Sequence, residues 1–73
     1  MIQAVIFDKH LYTKRQCHTW LRHHGLNRIK NINIHETLNY FRCRIREPNE
    51  SLYHYRTRNI HNGIKIVMQF PKY

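Results

Sequence analysis

The chain opens on a run of apolar side chains, Ile2 to Phe7, β-branched at Ile2, Val5 and Ile6, which suits a strand covered on at least one face. Asp8 to Tyr12 leads out of it. Thr13 followed by Gln16 matches a capping box, in which a hydroxyl and an amide satisfy free N–H groups at a helix start, so a helix is predicted from Lys14. Cys17, Trp20, Leu21 and His24 recur at three- and four-residue spacing as one apolar stripe, while Lys14, Arg15, His18 and Arg22 cover the opposite face. Gly25 follows as a left-handed cap. A helix of roughly eleven residues is too short to persist alone, so the Trp20 and Leu21 stripe has to pack on a sheet.

Alternation at period two then takes over. From Arg28 to His35 it sets Ile32 and Ile34 on one face and Asn31, Asn33 and His35 on the other, with Glu36 to Asn39 as a turn. Tyr40 to Arg46 alternates more clearly, placing Phe41, Cys43 and Ile45 towards a core and Arg42, Arg44 and Arg46 away from it, until Pro48 and Asn49 stop the strand. Leu52 to Arg58 sets Tyr53, Tyr55 and Thr57 against His54, Arg56 and Arg58. His61-Asn62-Gly63 supplies a turn whose glycine allows positive φ, and Ile64 to Phe70 forms a last strand before Pro71. The expected fold is α+β: a single β-α-β-β-β-β domain over residues 1–73, one helix packed on a mainly antiparallel sheet. At 73 residues the chain sits near the lower size at which a hydrophobic core alone holds a fold.

Charge changes the picture from fold to function. Thirteen Lys and Arg against four acidic residues give a net charge of +9, and seven His add to it in mild acid. Self-repulsion on this scale opposes compaction, so an anionic partner would stabilise the fold as well as bind it. Nucleic acid fits best, with an acidic protein or an anionic lipid surface as alternatives. The start MIQAVIF lacks a basic leader and no apolar run approaches a membrane span, which sets the expectation of a soluble intracellular chain with no membrane partner. Cys17 and Cys43 belong to no C-x-x-C pair and read as small core residues in a reducing compartment.

The sharpest feature is Arg42, Arg44 and Arg46 on one strand with Arg56 and Arg58 on the next. If those strands pair, five guanidiniums share a face that makes most sense with phosphates lying over it, since like charges opposed across a sheet destabilise it. Tyr40, Tyr53 and Tyr55 offer aromatic surfaces nearby on which exposed bases stack. The competing reading is that strand exteriors are ordinarily polar and these arginines only solubilise a small protein. Lys14, Arg15, His18 and Arg22 form a second basic surface that would extend a phosphate path, or simply be solvated.

Other chemistry is less well supported. Cys17, His18, His23 and His24 crowd one helix but point in different directions, so no metal site or cofactor is expected. Asp8, Glu36, Glu47 and Glu50 are the carboxylates a metal-dependent nuclease would need, yet none sits in a nuclease pattern. Glu36 and Glu47 read as turn residues paired with neighbouring arginines, and no catalytic residue is assigned.

With the segments in place, AVIF at Ala4 to Phe7, the Thr13-capped helix with Trp20-Leu21 and His24-Gly25, NYFRCRI at Asn39 to Ile45, YRTRNI at Tyr55 to Ile60 and NGIKIV at Asn62 to Val67 cover most of the chain. In that order they resemble a small uncharacterised domain of large DNA viruses and tailed bacteriophages. The resemblance carries no established activity. It implies a viral setting, in host cytoplasm or nucleus or within virions.

The function expected is non-enzymatic nucleic-acid binding through Arg42, Arg44, Arg46, Arg56 and Arg58, with Lys14, Arg15, Arg22, Tyr40 and Tyr55 extending the surface. The alternative is a virion or assembly component that docks on an acidic protein or forms a homo-oligomer, with Ile2 to Phe7 and Ile64 to Phe70 as edge strands pairing between subunits.

Overall fold

A computed structural model describes residues 1–26 and 33–73. Its elements run β1 (Ile2–Asp8), α1 (Lys14–His23), β2 (Asn33–Glu36), β3 (Tyr40–Arg44), β4 (Tyr53–His61) and β5 (Ile64–Pro71), the expected order in an α+β domain. The five strands form one sheet in the order β2-β3-β1-β5-β4, every neighbouring pair antiparallel.

The helix starts as its cap requires. Thr13 Oγ1 accepts from the Gln16 N–H at 3.2 Å, and Gln16 Oε1 accepts from the Thr13 N–H at 2.8 Å. At the far end Gly25 takes φ +66°, and the Leu26 N–H closes on the Leu21 carbonyl at 2.9 Å. Cys17 and Leu21 are fully buried against Val5, Phe7, Phe41, Cys43, Ile45 and Ile64. Trp20 meets Phe7 edge-on at 5.6 Å between ring centres, and His24 stacks on Trp20 at 3.8 Å. The Cys17 and Cys43 thiols form no disulfide; the hydrogen bond between them and their burial push Cys43 up, keeping it a thiol in the helix–sheet seam.

Strand order follows from which strands are apolar on both sides. Gln3, Ala4, Val5 and Phe7 are all buried, so β1 needs a neighbour on each edge and takes the centre. This corrects the expectation that Ile2 to Phe7 and Ile64 to Phe70 lie at sheet edges: the edges are β2 and β4. β4 also runs further than expected, absorbing Asn59, Ile60 and His61, so the turn to β5 is Asn62-Gly63 alone, with Gly63 at φ +80°. Glu36 ends β2 instead of entering the turn. Of the strand expected over Arg28 to His35, residues 28–32 lie outside the described residues.

The β1–β5 register shifts at Gln3, between Ile2 and Ala4. The Gln3 carbonyl accepts from the N–H groups of Ile45 and Arg46 at 2.8 and 3.1 Å, and its side-chain amide donates to the Arg46 carbonyl at 2.8 Å. A buried glutamine thereby holds the exit of β3.

Candidate nucleic-acid interface

The helix covers one face of the sheet; on the other, Ala4, Val67 and Gln69 are buried, while His35, Arg44, Lys65 and Asn59 are exposed and Ile6 and Arg42 half-buried, and this face is called the open one. Residues directly opposed in an antiparallel ladder project to the same side, so the registers assign every strand residue to a face. Val5 and Phe7 face the helix, and with them Cys43, Phe41, Ile66 and Ile64. Ile6 faces away. It pairs with Arg42 on one side and Lys65 on the other, Arg42 pairs with His35, and Lys65 pairs with Asn59. One row therefore crosses all five strands on the open face: His35, Arg42, Ile6, Lys65, Asn59. The adjacent row carries Arg44, Ala4, Val67 and Thr57.

The two arginine rows do not adjoin. β3 and β4 are separated by β1 and β5, and Arg58 and Arg56 oppose Ile66 and Met68 on the helix side. Arg42 and Arg44 occupy the open face, while Arg56 and Arg58 sit with His54, Tyr55 and Phe70 along a shallow recess at the β4 edge. The expected surface of five guanidiniums thus divides, with Arg42 and Arg44 on one face, Arg56 and Arg58 on the other, and Arg46 beyond the end of β3. The physical reason is that β1, apolar on both faces, draws β3 to one edge and β5 to the other, which also keeps like charges off adjacent strands.

The other expected residues scatter. Arg46 lies in the bend beyond β3, exposed, with its backbone held by Gln3. Arg15 and Arg22 are exposed on the outer face of α1, on the far side of the molecule from Arg42 and Arg44. Lys14 is engaged: its ammonium lies 3.3 Å from Glu36, which also takes Lys9 at 2.6 Å. The hydrogen bonds from Lys9 and then Lys14 hold the Glu36 carboxyl below its ordinary value. Glu36 therefore pairs with lysines and not with arginines, correcting the sequence expectation. Tyr40 is on the open face opposite Asp8, and Tyr55 is on it opposite Gln69, but the Tyr55 hydroxyl accepts from the Asn49 N–H and secures the 45–52 loop.

Among the described residues the only ion pairs are those of Lys9 and Lys14 with Glu36, so no arginine there has a carboxylate partner. Arg42 is half-buried, and its Nε–H meets no acceptor, a deficit worth roughly 1–3 kcal/mol. Sequence reasoning missed Lys65 as a member of this surface. Its signal was present as the lone charge in the apolar strand Ile64 to Phe70, at the alternate position.

Among the described residues no three His, Cys, Asp or Glu side chains gather where they could hold a metal ion, and no helix is long and apolar enough to cross a membrane. Comparison with protein-family models, curated proteins and solved structures finds no match to the chain. The class defined by fold and surface is a small basic α+β domain with a helix on one side and an open, cationic antiparallel face on the other.

Proposed function

We propose that the chain is a non-enzymatic nucleic-acid-binding domain that holds a phosphate backbone on its open sheet face through Arg42, Arg44 and Lys65. The observation that carries this reading is the cross-strand row His35, Arg42, Ile6, Lys65, Asn59: cations on both sides of an apolar centre, with no acidic partner drawn to them. Phosphates supply the anionic partners that these side chains lack within the fold, and Tyr40 gives a base a ring to lie against. A role on viral genomes or in virions would agree with the resemblance of the sequence to viral and phage domains. Affinity for single-stranded and duplex oligonucleotides across a salt series tests the proposal. Three phosphate contacts on a single strand give a log–log slope of about −2. Absence of binding at low salt would end it.

One observation favours a second reading. β4 is a nine-residue strand at the sheet edge, with Arg56 and Arg58 on its helix-side face. Such an edge suits pairing with an acidic strand of another protein or with a second copy. Sedimentation separates the readings: a stable oligomer indifferent to oligonucleotide supports the second.

A further inference from the structure

At one end of the open face, Ile6, Asp8, Asn39, Tyr40, Gly63 and Lys65 line a recess of about 330 Å³. That is near the lower bound of ligand pockets, about 300 Å³, and suits one small planar group better than a folded ligand. Its walls are placed by backbone bonds. Asp8 and Tyr40 are opposed in the β1–β3 ladder, the Asp8 N–H donates to the Gly63 carbonyl at 2.7 Å, and the Lys9 N–H donates to the Asn39 carbonyl at 3.1 Å.

The polar groups around it are of complementary kinds. Asp8 Oδ1 accepts from the His10 N–H at 2.8 Å, and its other oxygen has no hydrogen-bond partner among the described residues. A carboxylate there offers only acceptors, the Lys65 ammonium only donors, and the Asn39 amide both. Ile6 gives an apolar floor and Tyr40 an aromatic wall. Arg42 stands beside Ile6 in the same row as Lys65, where the phosphates flanking a bound base would run.

Resting on the nucleic-acid reading above, we infer that this recess takes one unpaired base of a single strand and favours cytosine over thymine or uracil. The cytosine pairing edge carries an amino donor followed by two acceptors. Asp8 takes the amino group, and Asn39 and Lys65 supply donors to N3 and O2. Thymine and uracil put a carbonyl oxygen where that amino group stands, facing the carboxylate. A paired base has this edge occupied, so a duplex gains only the phosphate contacts.

The test compares oligodeoxycytidine with oligodeoxythymidine of equal length at neutral pH and fixed salt, so that the phosphate contribution cancels. Wild-type protein is expected to bind the cytidine strand about tenfold tighter, the scale of one well-made base contact. Asp8→Asn keeps an acceptor for the His10 N–H but adds donors towards the recess, and should bring the two strands to near parity without weakening the thymidine strand. Tyr40→Ala should weaken both strands and Tyr40→Phe neither, with thermal unfolding confirming that each variant folds. Equal affinity of wild type for the two strands, or a preference that survives Asp8→Asn, overturns the inference while leaving phosphate binding intact. If neither strand binds at low salt, both the recess assignment and the parent proposal fall.

Discussion

Arg42 and Lys65 stand on either side of Ile6 in one cross-strand row, each paired with it through the ladders on the two edges of β1. Their strands are two spacings apart, about 10 Å, leaving an apolar gap between two cations. A backbone crossing the sheet meets one, passes over Ile6 and meets the other. Replacing both by alanine should therefore reduce the magnitude of the salt slope for single-stranded binding by about 1.4, which a fluorescence-anisotropy titration at several salt concentrations measures. Lys65 is exposed and the Arg42 replacement removes an unpaired buried Nε–H, so the thermal midpoint should be no lower than that of wild type.

Gly63 and Gly25 both take positive φ, +80° and +66°, but only one is crowded. A Cβ on Gly63 would lie 2.7 Å from Leu11 Cδ1 and 3.0 Å from Tyr12 Cε2, where the Tyr12 hydroxyl already donates to the Asn62 carbonyl at 3.0 Å. A Cβ on Gly25 meets nothing within 4 Å. Gly25→Ala should cost about 1 kcal/mol from backbone conformation alone, and Gly63→Ala about 1–2 kcal/mol, since the tip of exposed Leu11 can turn aside but the Tyr12 ring is held by its hydroxyl. Urea unfolding of the two variants side by side reads the difference.

The elements were legible in the sequence because each rests on a local pattern. Thr13 and Gln16 mark the helix start, Phe41 and Cys43 alternate against Arg42 and Arg44, and Asn62-Gly63 turns β4 into β5. Strand neighbours were not legible in the same way. Alternation says which residues of one strand share a side and leaves open whether β3 and β4 pair. The pairing is decided by long-range burial: the two-sided apolar run at Ala4 to Phe7 marks a central strand, although the same apolar character also suits an edge that pairs between subunits. The candidate site depended on that pairing. Arg42, Arg44 and Tyr40 belong to the open face as expected of a shared surface, Arg56 and Arg58 do not, and Lys65 and Asp8 join it only once β5 and β3 are seen to flank β1.

Glu36 joins the end of β2 to Lys9 beyond β1 and to Lys14 at the helix start. Its carboxyl is depressed in the folded state by the hydrogen bonds from Lys9 and then Lys14, so the stability it contributes is present above its unfolded value of about 4.3 and is lost as pH falls through the lower folded value. Thermal midpoints measured down a pH series should fall more steeply below that range in wild type than in Glu36→Gln, which lacks the titrating group. All three side chains are at least one-third exposed, so added salt should narrow the difference.

The central claim, that the open face and not overall charge holds nucleic acid, is tested most directly by moving the same charge loss between faces. Arg42→Ala/Arg44→Ala removes two positive charges from the open face, and Arg56→Ala/Arg58→Ala removes two from the helix side of β4. In single-stranded oligonucleotide titrations at one moderate salt concentration, the first double variant should lose roughly tenfold or more in affinity and the second less than about threefold, because screening confines each cation's influence to its own surface. Equal losses from the two variants, or the larger loss from Arg56 and Arg58, would contradict the account.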